Sequence, residues 1–550
     1  MKQLVFFAFV GLVLLFSPLI AESFRAYRHI RICVPIVDSY MSHADKQVAI
    51  SGEIWNSWTK DIQQCVRAFI SWDTLFERYV TTIPGAQYLV QRAIPSLLPV
   101  VKIVRTYTPL LEAWLPHIAE ISGVYGKRTY LILLQNNTEL RPTGGFLGSF
   151  IFVTTEGGRV TEMRAEDIYA PDGQLKGYVE APEPVKTFLF QQGGWKLRDS
   201  NWNPNFPEAA QTMLWFFEKG GYVNVDGVIA VTLSAIQDVL TPMGDIYIPD
   251  YDKHVDAETL YSFLQSQTEL SFFPGATSKR DVLGAAMRSV TRAINDLSYS
   301  KKKEIADAVI RRLDSRDIQI WMKNSNVQHA LESRGWDGSL RQTSCESDRC
   351  RSDALAIVEA NVGINKANCC VDRTVLYDLW FNPDGTATSS VRLQYQNHNP
   401  VTPQPPKFYG GGYRNYLRVY RRLDATMLSS EVNELVTPRK DISIEPFPAS
   451  GFVSYGMLVD VPGGGQTTTT VRFEHALKMG YTESQRFLLF LWKQSGLTTN
   501  EYHLTIHVPS NTIVRPDRFQ DRVKRTDTHT YDVSVTVDKD MLFAFTLLPS

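Results

Sequence analysis

The chain is poor in the patterns that mark common enzyme classes. No G-x-S-x-G elbow, H-E-x-x-H pair, kinase signature set, Rossmann glycine fingerprint or G-x4-G-K-[ST] phosphate loop occurs in context, and the ten histidines are scattered without ligand spacing. Ser/His/Asp hydrolysis, zinc peptidase and dehydrogenase chemistry therefore have no positive support. Cysteine is also scarce. Six in 550 residues do not make a disulfide scaffold, and no zinc-type C-x2-C pair is present. Cys33 and Cys65 stand early, whereas Cys345, Cys350, Cys369 and Cys370 fall close together. Either a local disulfide staple or free thiols fits that late cluster. An excess of one charge is missing as well: 57 Lys+Arg against 58 Asp+Glu leave −1, which disfavours a nucleic-acid coat. With 44% hydrophobic and 21% charged residues, no low-complexity tract and no repeat, the chain reads as globular, with three or four units at roughly 150 residues each.

One long apolar run is present. Residues 4–21 (LVFFAFVGLVLLFSPLIA) carry no charge; Lys2 precedes them and Arg25, Arg28 and Arg31 follow. An uncleaved anchor is favoured by length, with a signal segment cut after Ala21 as the other reading. The flanking arginines alone oppose export. The expectation adopted is nonetheless a single-pass cell-membrane protein whose body is extracytoplasmic, since no second comparable run follows.

Residues 1–24 are thus the membrane anchor or signal segment. Residues 25–126 read as a helical spacer: Ala86, Leu89, Val90 and Ala93, then Leu111, Trp114, Leu115 and Ile118, recur at helical spacing, with Pro95, Pro99, Pro109 and Pro116 as punctuation. From 127 to 351 strand and helix alternate, which argues for an α/β layered domain. Its expected strands are 130–134, 150–154, 159–163, 228–231 and 246–248. Helices are expected over 210–217, 235–240 with Ser234 as cap, 257–265 and 282–297, and around Ile305, Val309 and Leu313. From 352 to 550 ten short β-branched or aromatic segments predict a C-terminal antiparallel β-sandwich, one large or two small. The fold class expected is α+β multidomain: a membrane helix, a helical spacer, a central α/β domain and a β-sandwich.

Three polar clusters are candidates for chemistry. In QNNTELRPTGGFLGS (135–149), Arg141 offers a fork for carboxylate or phosphate, while Gly144, Gly145 and Gly148 permit close approach of a bound group. The plainer reading is a tight turn in which Arg141 pairs with Glu139 or a neighbouring acid. Arg164, Glu166, Asp167, Tyr169 and Asp172 close the third strand, where α/β sheets collect ligands and cations. Arg198, Asp199, Asn201, Trp202, Asn205 and Phe206 precede a helix, where Asp or Asn can cap and the aromatics can wall a pocket. Lys279, Arg280 and Asp281 open a later helix; a solvated face is the default there.

YLILLQNNTELRPTGGFLGSF, RDSNWNPNFPEAA, VDGVIAVTLSAIQDVLTPMGDIYIP, WDGSLR and EANVGINKANCCVDRTV resemble, in this order over about 127–400, the bacterial family catalogued as domain of unknown function 4012. The resemblance implies envelope proteins with one N-terminal membrane segment. More remotely, the order of strand, arginine turn, strand, acidic strand end and helix is similar to the LytR-CpsA-Psr family. That similarity implies an extracytoplasmic phosphotransferase moving a glycopolymer from a polyprenyl-pyrophosphate carrier, with arginines on pyrophosphate, aspartates on Mg²⁺ and an apolar pocket for lipid. It assigns catalytic roles to Arg141, Asp167, Arg198 and Arg280, with Asp167 and Asp199 as Mg²⁺ ligands. Departures are Thr143 where an aspartate is expected, Glu166 where an arginine is expected, and Asp281 in place of a polar or basic residue.

Two functions follow as expectations. One is a membrane-anchored, possible Mg-dependent glycopolymer phosphotransferase acting on a lipid-linked glycan. The other is a non-catalytic envelope scaffold or glycan-binding protein with a β-sandwich interaction domain. Neither involves nucleic acid.

Overall fold

The computed structural model describes residues 49–82, 97–189, 193–222, 224–269, 278–345, 347–402, 410–498 and 500–550. The apolar run 4–21, Cys33 and the helical positions 86–93 lie outside them. Among the described residues no helix is long and apolar enough to cross a membrane. The chain divides into two compact units, the first made of Met1–Tyr130, Phe152–Met163 and Asn324–Ala330, the second of Leu131–Ile151, Arg164–Lys323 and Leu331–Ser550.

In the first unit, α1 (Gly52–Thr82) and α2 (Leu97–Ile121) pack through Ile50, Trp55, Leu115 and Ala119. Pro109 and Pro116, expected as punctuation, lie inside α2. Each forfeits one i→i−4 bond, yet burial of Leu115 and Ala119 on one face carries the helix past them. The Gly157–Gly158 turn has φ of 58° and 79°, the primed hairpin geometry its sequence predicts. Its amides donate to Gly123 O and Ser122 O at 2.8 and 3.1 Å.

Mixed α/β structure follows. Strands β1 (Arg128–Asn136), β2 (Phe146–Glu156), β3 (Arg159–Asp167) and β4 (Gly227–Thr232) appear where expected. A ribbon of β5 (Ile246–Ile248) and β6 (Lys253–Val255) precedes β7 (Ile318–Met322), a strand the pattern did not reveal. The five-stranded sheet has the order β3-β2-β1-β4-β7, with β4 and β7 antiparallel. The helices are α3 (Tyr169–Gln174), α4 (Glu183–Phe188), α5 (Phe206–Lys219), α6 (Leu233–Leu240), α7 (Thr259–Glu269), α8 (Ser278–Asp296), α9 (Tyr299–Asp314) and α10 (Ser325–Arg334), of which α7 and α8 pack on the β5–β6 ribbon. Helix α5 begins with Pro207 in its first turn and closes at Gly220, burying Met213, Phe216 and Phe217; Phe217 meets Phe150 edge-on at 4.9 Å. Asn205, expected as its cap, makes no side-chain cap bond, because its Oδ1 accepts from Leu340 N at 3.0 Å. The cap of α6 is Thr232, whose hydroxyl accepts from Ala235 N at 3.2 Å, and not Ser234.

The C-terminal strands form one sandwich. They are β8 (Cys350–Asn361), β9 (Val371–Phe381), β10 (Ala387–Asn397), β11 (Tyr413–Arg422), β12 (Ala425–Val432), β13 (Leu435–Val436), β14 (Ser443–Phe447) and β15 (Phe452–Val461). Then come β16 (Gln466–His475), β17 (Gln485–Trp492), β18 (Glu501–His507), β19 (Thr512–Pro516), β20 (Val523–Asp527), β21 (Thr530–Thr536) and β22 (Met541–Pro549). An eight-stranded sheet, β13-β12-β16-β10-β9-β18-β21-β20, shares one core with a seven-stranded sheet, β14-β15-β11-β8-β17-β22-β19: Val375, Leu393 and Leu504 meet Leu355, Leu417 and Leu489. The sandwich is not wholly antiparallel. The β17–β8 and β18–β9 pairs are parallel, because chain arriving from distant hairpins inserts beside the two central strands. All ten expected segments are strands. Cys345–Cys350 and Cys369–Cys370 are disulfides, so the staple is the outcome for the late cysteines.

Candidate functional site

The turn between β1 and β2 carries the first cluster into a buried junction within the second unit. Gln135 Oε1 accepts from Thr143 Oγ1 (2.8 Å) and Gly145 N (3.1 Å), and Asn201 Nδ2 reaches Gly145 O at 2.9 Å. The turn is tied to the segment before α5 by side-chain amides, and Thr143 is part of that tie. Gly145 has no room for a side chain: a Cβ would lie 2.4 Å from Asn136 backbone. At Gly144, φ is 135° and a Cβ would lie 2.7 Å from Ser495 Oγ. These two glycines thus serve close packing against protein, where approach of a bound group had been expected.

Arg141 is 1% exposed. Its Nη2 donates to Glu139 Oε1 at 2.9 Å and Asp199 Oδ1 at 3.1 Å, and Nη1 donates to the carbonyl of Asn361 on β8 at 2.7 Å. The guanidinium carbon lies 5.5 Å from the centre of the Phe146 ring, and the Arg141 carbonyl accepts from Gln494 Nε2 at 3.2 Å. Burial opposes the Arg141 charge, but Glu139 and Asp199 outweigh it and raise its pKa. Burial pushes Glu139 and Asp199 up as well, against the pull of Arg141. Asp199 also faces Arg198, Nε to Oδ2 at 3.7 Å. Arg198 in turn pairs with Asp172 at 2.9 Å and covers the Tyr169 ring at 5.2 Å. The result is one chain of alternating charge, Glu139, Arg141, Asp199, Arg198, Asp172. Burial raises the Asp172 pKa too, against the Arg198 charge.

Arg141, Asp199 and Arg198 therefore come together. Asp167 and Arg280 are placed otherwise. Asp167 is half-buried and accepts from Tyr169 N at 3.1 Å, and Glu166 accepts from the Tyr222 hydroxyl at 2.6 Å. Arg280 is exposed on the first turn of α8, 3.7 Å from Asp281, and no ion pair or hydrogen bond joins it to the Arg141 chain. Trp202 is buried, stacked on Tyr416 of β11 (5.7 Å) under the Arg418 guanidinium (5.0 Å), so it fills the junction. The residues do not fit Mg²⁺. The Asp199 carboxylate is taken up by two guanidiniums, and among the described residues no group of three or more His, Cys, Asp or Glu is placed to hold a metal.

Residues 125–268 match the family model described as Protein of unknown function (DUF4012). The DUF4012 segment, about a quarter of the chain, runs from β1 to α7 and holds both Arg141 and Arg198. No curated protein matches the chain. Among solved structures, TagV of B. subtilis is 14% identical, covering 38% of this chain and 80% of its own, at a TM-score of 0.25. The Lin1025 protein of Listeria innocua is 13% identical, over 38% and 79%, at 0.23. An M1 zinc metallopeptidase from Deinococcus radiodurans is 7% identical, over 33% and 42%, at 0.18.

Further pairings that sequence reasoning missed join the residues just before β7 to chain far along. Asp317 receives Lys493 Nζ at 3.1 Å and Gly496 N at 2.8 Å; against burial, these hold its pKa low. Arg316 pairs with Asp540 at 2.7 Å and lies over Trp492 at 4.6 Å. A cavity of about 20 Å³ touches Asn137, Leu140, Glu359 and Arg373. That volume suits a water or two and no prenyl chain. No local pattern announces these pairings, since each joins single polar residues separated by more than 150 positions.

Proposed function

We propose that this protein is a non-catalytic scaffold or glycan-binding protein of the cell envelope. In this reading the DUF4012 segment is a platform bolted to the β-sandwich. The observation that carries it is the placement of Arg141, which is buried and bonded to Glu139, Asp199 and a carbonyl of the sandwich. An arginine that grips a pyrophosphate must exchange such partners for phosphate oxygens, and breaking a buried ion pair costs about 3–5 kcal/mol. Placement at the envelope rests on the apolar run 4–21 and on the family resemblance, with the N-terminal segment as the membrane partner.

Magnesium-dependent release of pyrophosphate from a polyprenyl-pyrophosphate-linked glycan tests the reading. Purified protein is expected to give no release above the protein-free blank. Release that disappears in Arg280→Ala, an exposed position that folds regardless, would establish the phosphotransferase and end the proposal. Arg141→Ala is the second variant, with folding checked by circular dichroism.

A further inference from the structure

The outward face of the eight-stranded sheet is polar, and strand register sets its side chains in rows. One row runs Thr388, Trp380, His507, Thr530 across β10, β9, β18 and β21. The next runs Ser390, Asp378, Thr505, Asp532 and, on β20, Lys524. A third runs Arg392, Leu376, His503, Ser534. Five strands at the usual spacing span ~19 Å, the length of a short oligosaccharide.

The first row holds a rigid aromatic surface. The indole of Trp380 is stacked on the imidazole of His507, centroids 5.0 Å apart and planes 5° from parallel, and Trp380 remains 37% exposed. Thr530 braces His507, its Oγ1 lying 3.4 Å from Nδ1, and Asp378 Oδ1 stands 4.0 Å from Nε2 in the next row. On the other side stands Thr388, too short to cover an indole ring. A lone exposed tryptophan needs no explanation. One locked against a histidine, beside two carboxylates, a guanidinium and a row of hydroxyls on a sheet, is different. Such a surface matches a pyranose ring, which presents an apolar C–H face and a rim of hydroxyls that both donate and accept.

Charge narrows the ligand further. With the first two rows continued onto β16 by Glu474 and Arg472, Asp378, Asp532 and Glu474 are balanced by Arg392, Lys524 and Arg472, so these rows have no net attraction for a polyanion. We infer that this face binds a neutral oligosaccharide, with Trp380 as the stacking platform and Asp378, Asp532 and Arg392 bonding its hydroxyls. The inference rests on the binding reading above and gives it a location.

Calorimetric titration of the purified chain with chitohexaose and cellohexaose, with heparin as polyanion control, tests it. At least one neutral hexasaccharide is expected to bind, insensitive to salt. Trp380→Ala should weaken binding by roughly 10-fold or more, and Trp380→Phe by less than about 3-fold, because an aromatic face is kept. Asp532→Asn, a conservative change on the same face, should weaken it by a few-fold. Equal binding by Trp380→Ala, or binding of heparin alone, overturns the assignment. Sedimentation with insoluble chitin and cellulose separates the two levels of the idea. Retention that Trp380→Ala leaves unchanged removes this site but keeps a glycan-binding protein, and no retention of the natural chain by either polymer, with no hexasaccharide bound, removes both.

Discussion

Two buried ionic clusters in this protein are built from the same groups and behave differently. In the Arg141 junction one guanidinium faces Glu139 and Asp199, and both acids are pushed up by burial more than their arginine pulls them down. Inside the sandwich, Arg421 of β11 bonds Asp353 of β8, with Tyr377 and His475 beside them. There Asp353 is also desolvated, but Arg421, His475 and the Ala354 amide overcome burial and hold it low. The difference is one of ratio. Three acids sharing two arginines stay under-compensated, whereas one acid met by a cation and several donors is fully held. The sandwich cluster thus supports its own fold, and the junction holds its place because it joins distant segments.

The sandwich cluster includes Ser389, His475 and Asp353, the residue types of a hydrolytic triad. Ser389 Oγ lies 2.7 Å from His475 Nε2, and His475 Nδ1 lies 4.0 Å from Asp353. All three are at most 1% exposed, and Arg421 also contacts Nε2, so no substrate reaches the hydroxyl. Burial is decisive here, as it is for Arg141.

The comparison breaks most sharply by removing each arginine. Arg421→Met strands Asp353 and is expected to cost about 3–5 kcal/mol in chemical denaturation at pH 7. Arg141→Met should cost about the same at pH 8 but less at pH 5, since acids whose folded pKa is already raised take up a proton before Asp353 does. Equal losses at both pH values for Arg141→Met would mean that Glu139 and Asp199 are not under-compensated.

His475 gives the next largest effect. Burial lowers its pKa from 6.5 to about 4. A base depressed in the folded state contributes stability that is whole above its unfolded pKa and is lost as pH falls towards the folded one. The natural chain should therefore lose about 3 kcal/mol between pH 6.5 and 4 from this group alone. His475→Gln should flatten the denaturation midpoint over that window; an unchanged slope would show that the loss lies elsewhere.

Much of the fold is legible in the residues. Helix α5 is read correctly because proline and paired glycines bracket an apolar stripe, and ten sandwich strands are read from β-branched and aromatic runs set between turn residues. Strand β7 (IQIWM) escapes, and the edge strands β14 and β20 escape because mostly exposed strands show little alternation. The site was legible only locally. Arg141, Arg198 and Asp199 stand in dense polar turns, so sequence marks them as special. It does not show that Arg141 has Asn361 and Gln494 as partners, more than 200 positions on, and those partners decide whether the arginine faces ligand or protein.

Smaller effects sharpen the same contrast between buried and exposed polar groups. Thr232→Ala removes the α6 cap and should cost about 1 kcal/mol, with Ser234→Ala near zero; the reverse ranking in thermal denaturation would restore Ser234 as the cap. The smallest change is expected at Arg280. Its side chain is 56% exposed and its ion pair with Asp281, the one found among the described residues, is 3.7 Å long, so Arg280→Ala should stay within about 0.5 kcal/mol of the natural chain. The value of this variant lies in what it leaves intact. Because the fold is unmoved, any loss of glycan binding in Arg280→Ala reports a direct contact, which an outer-face site centred on Trp380 does not include. Unchanged binding beside a roughly 10-fold loss in Trp380→Ala would place recognition on the sandwich and leave the exposed arginine of α8 a solvated charge.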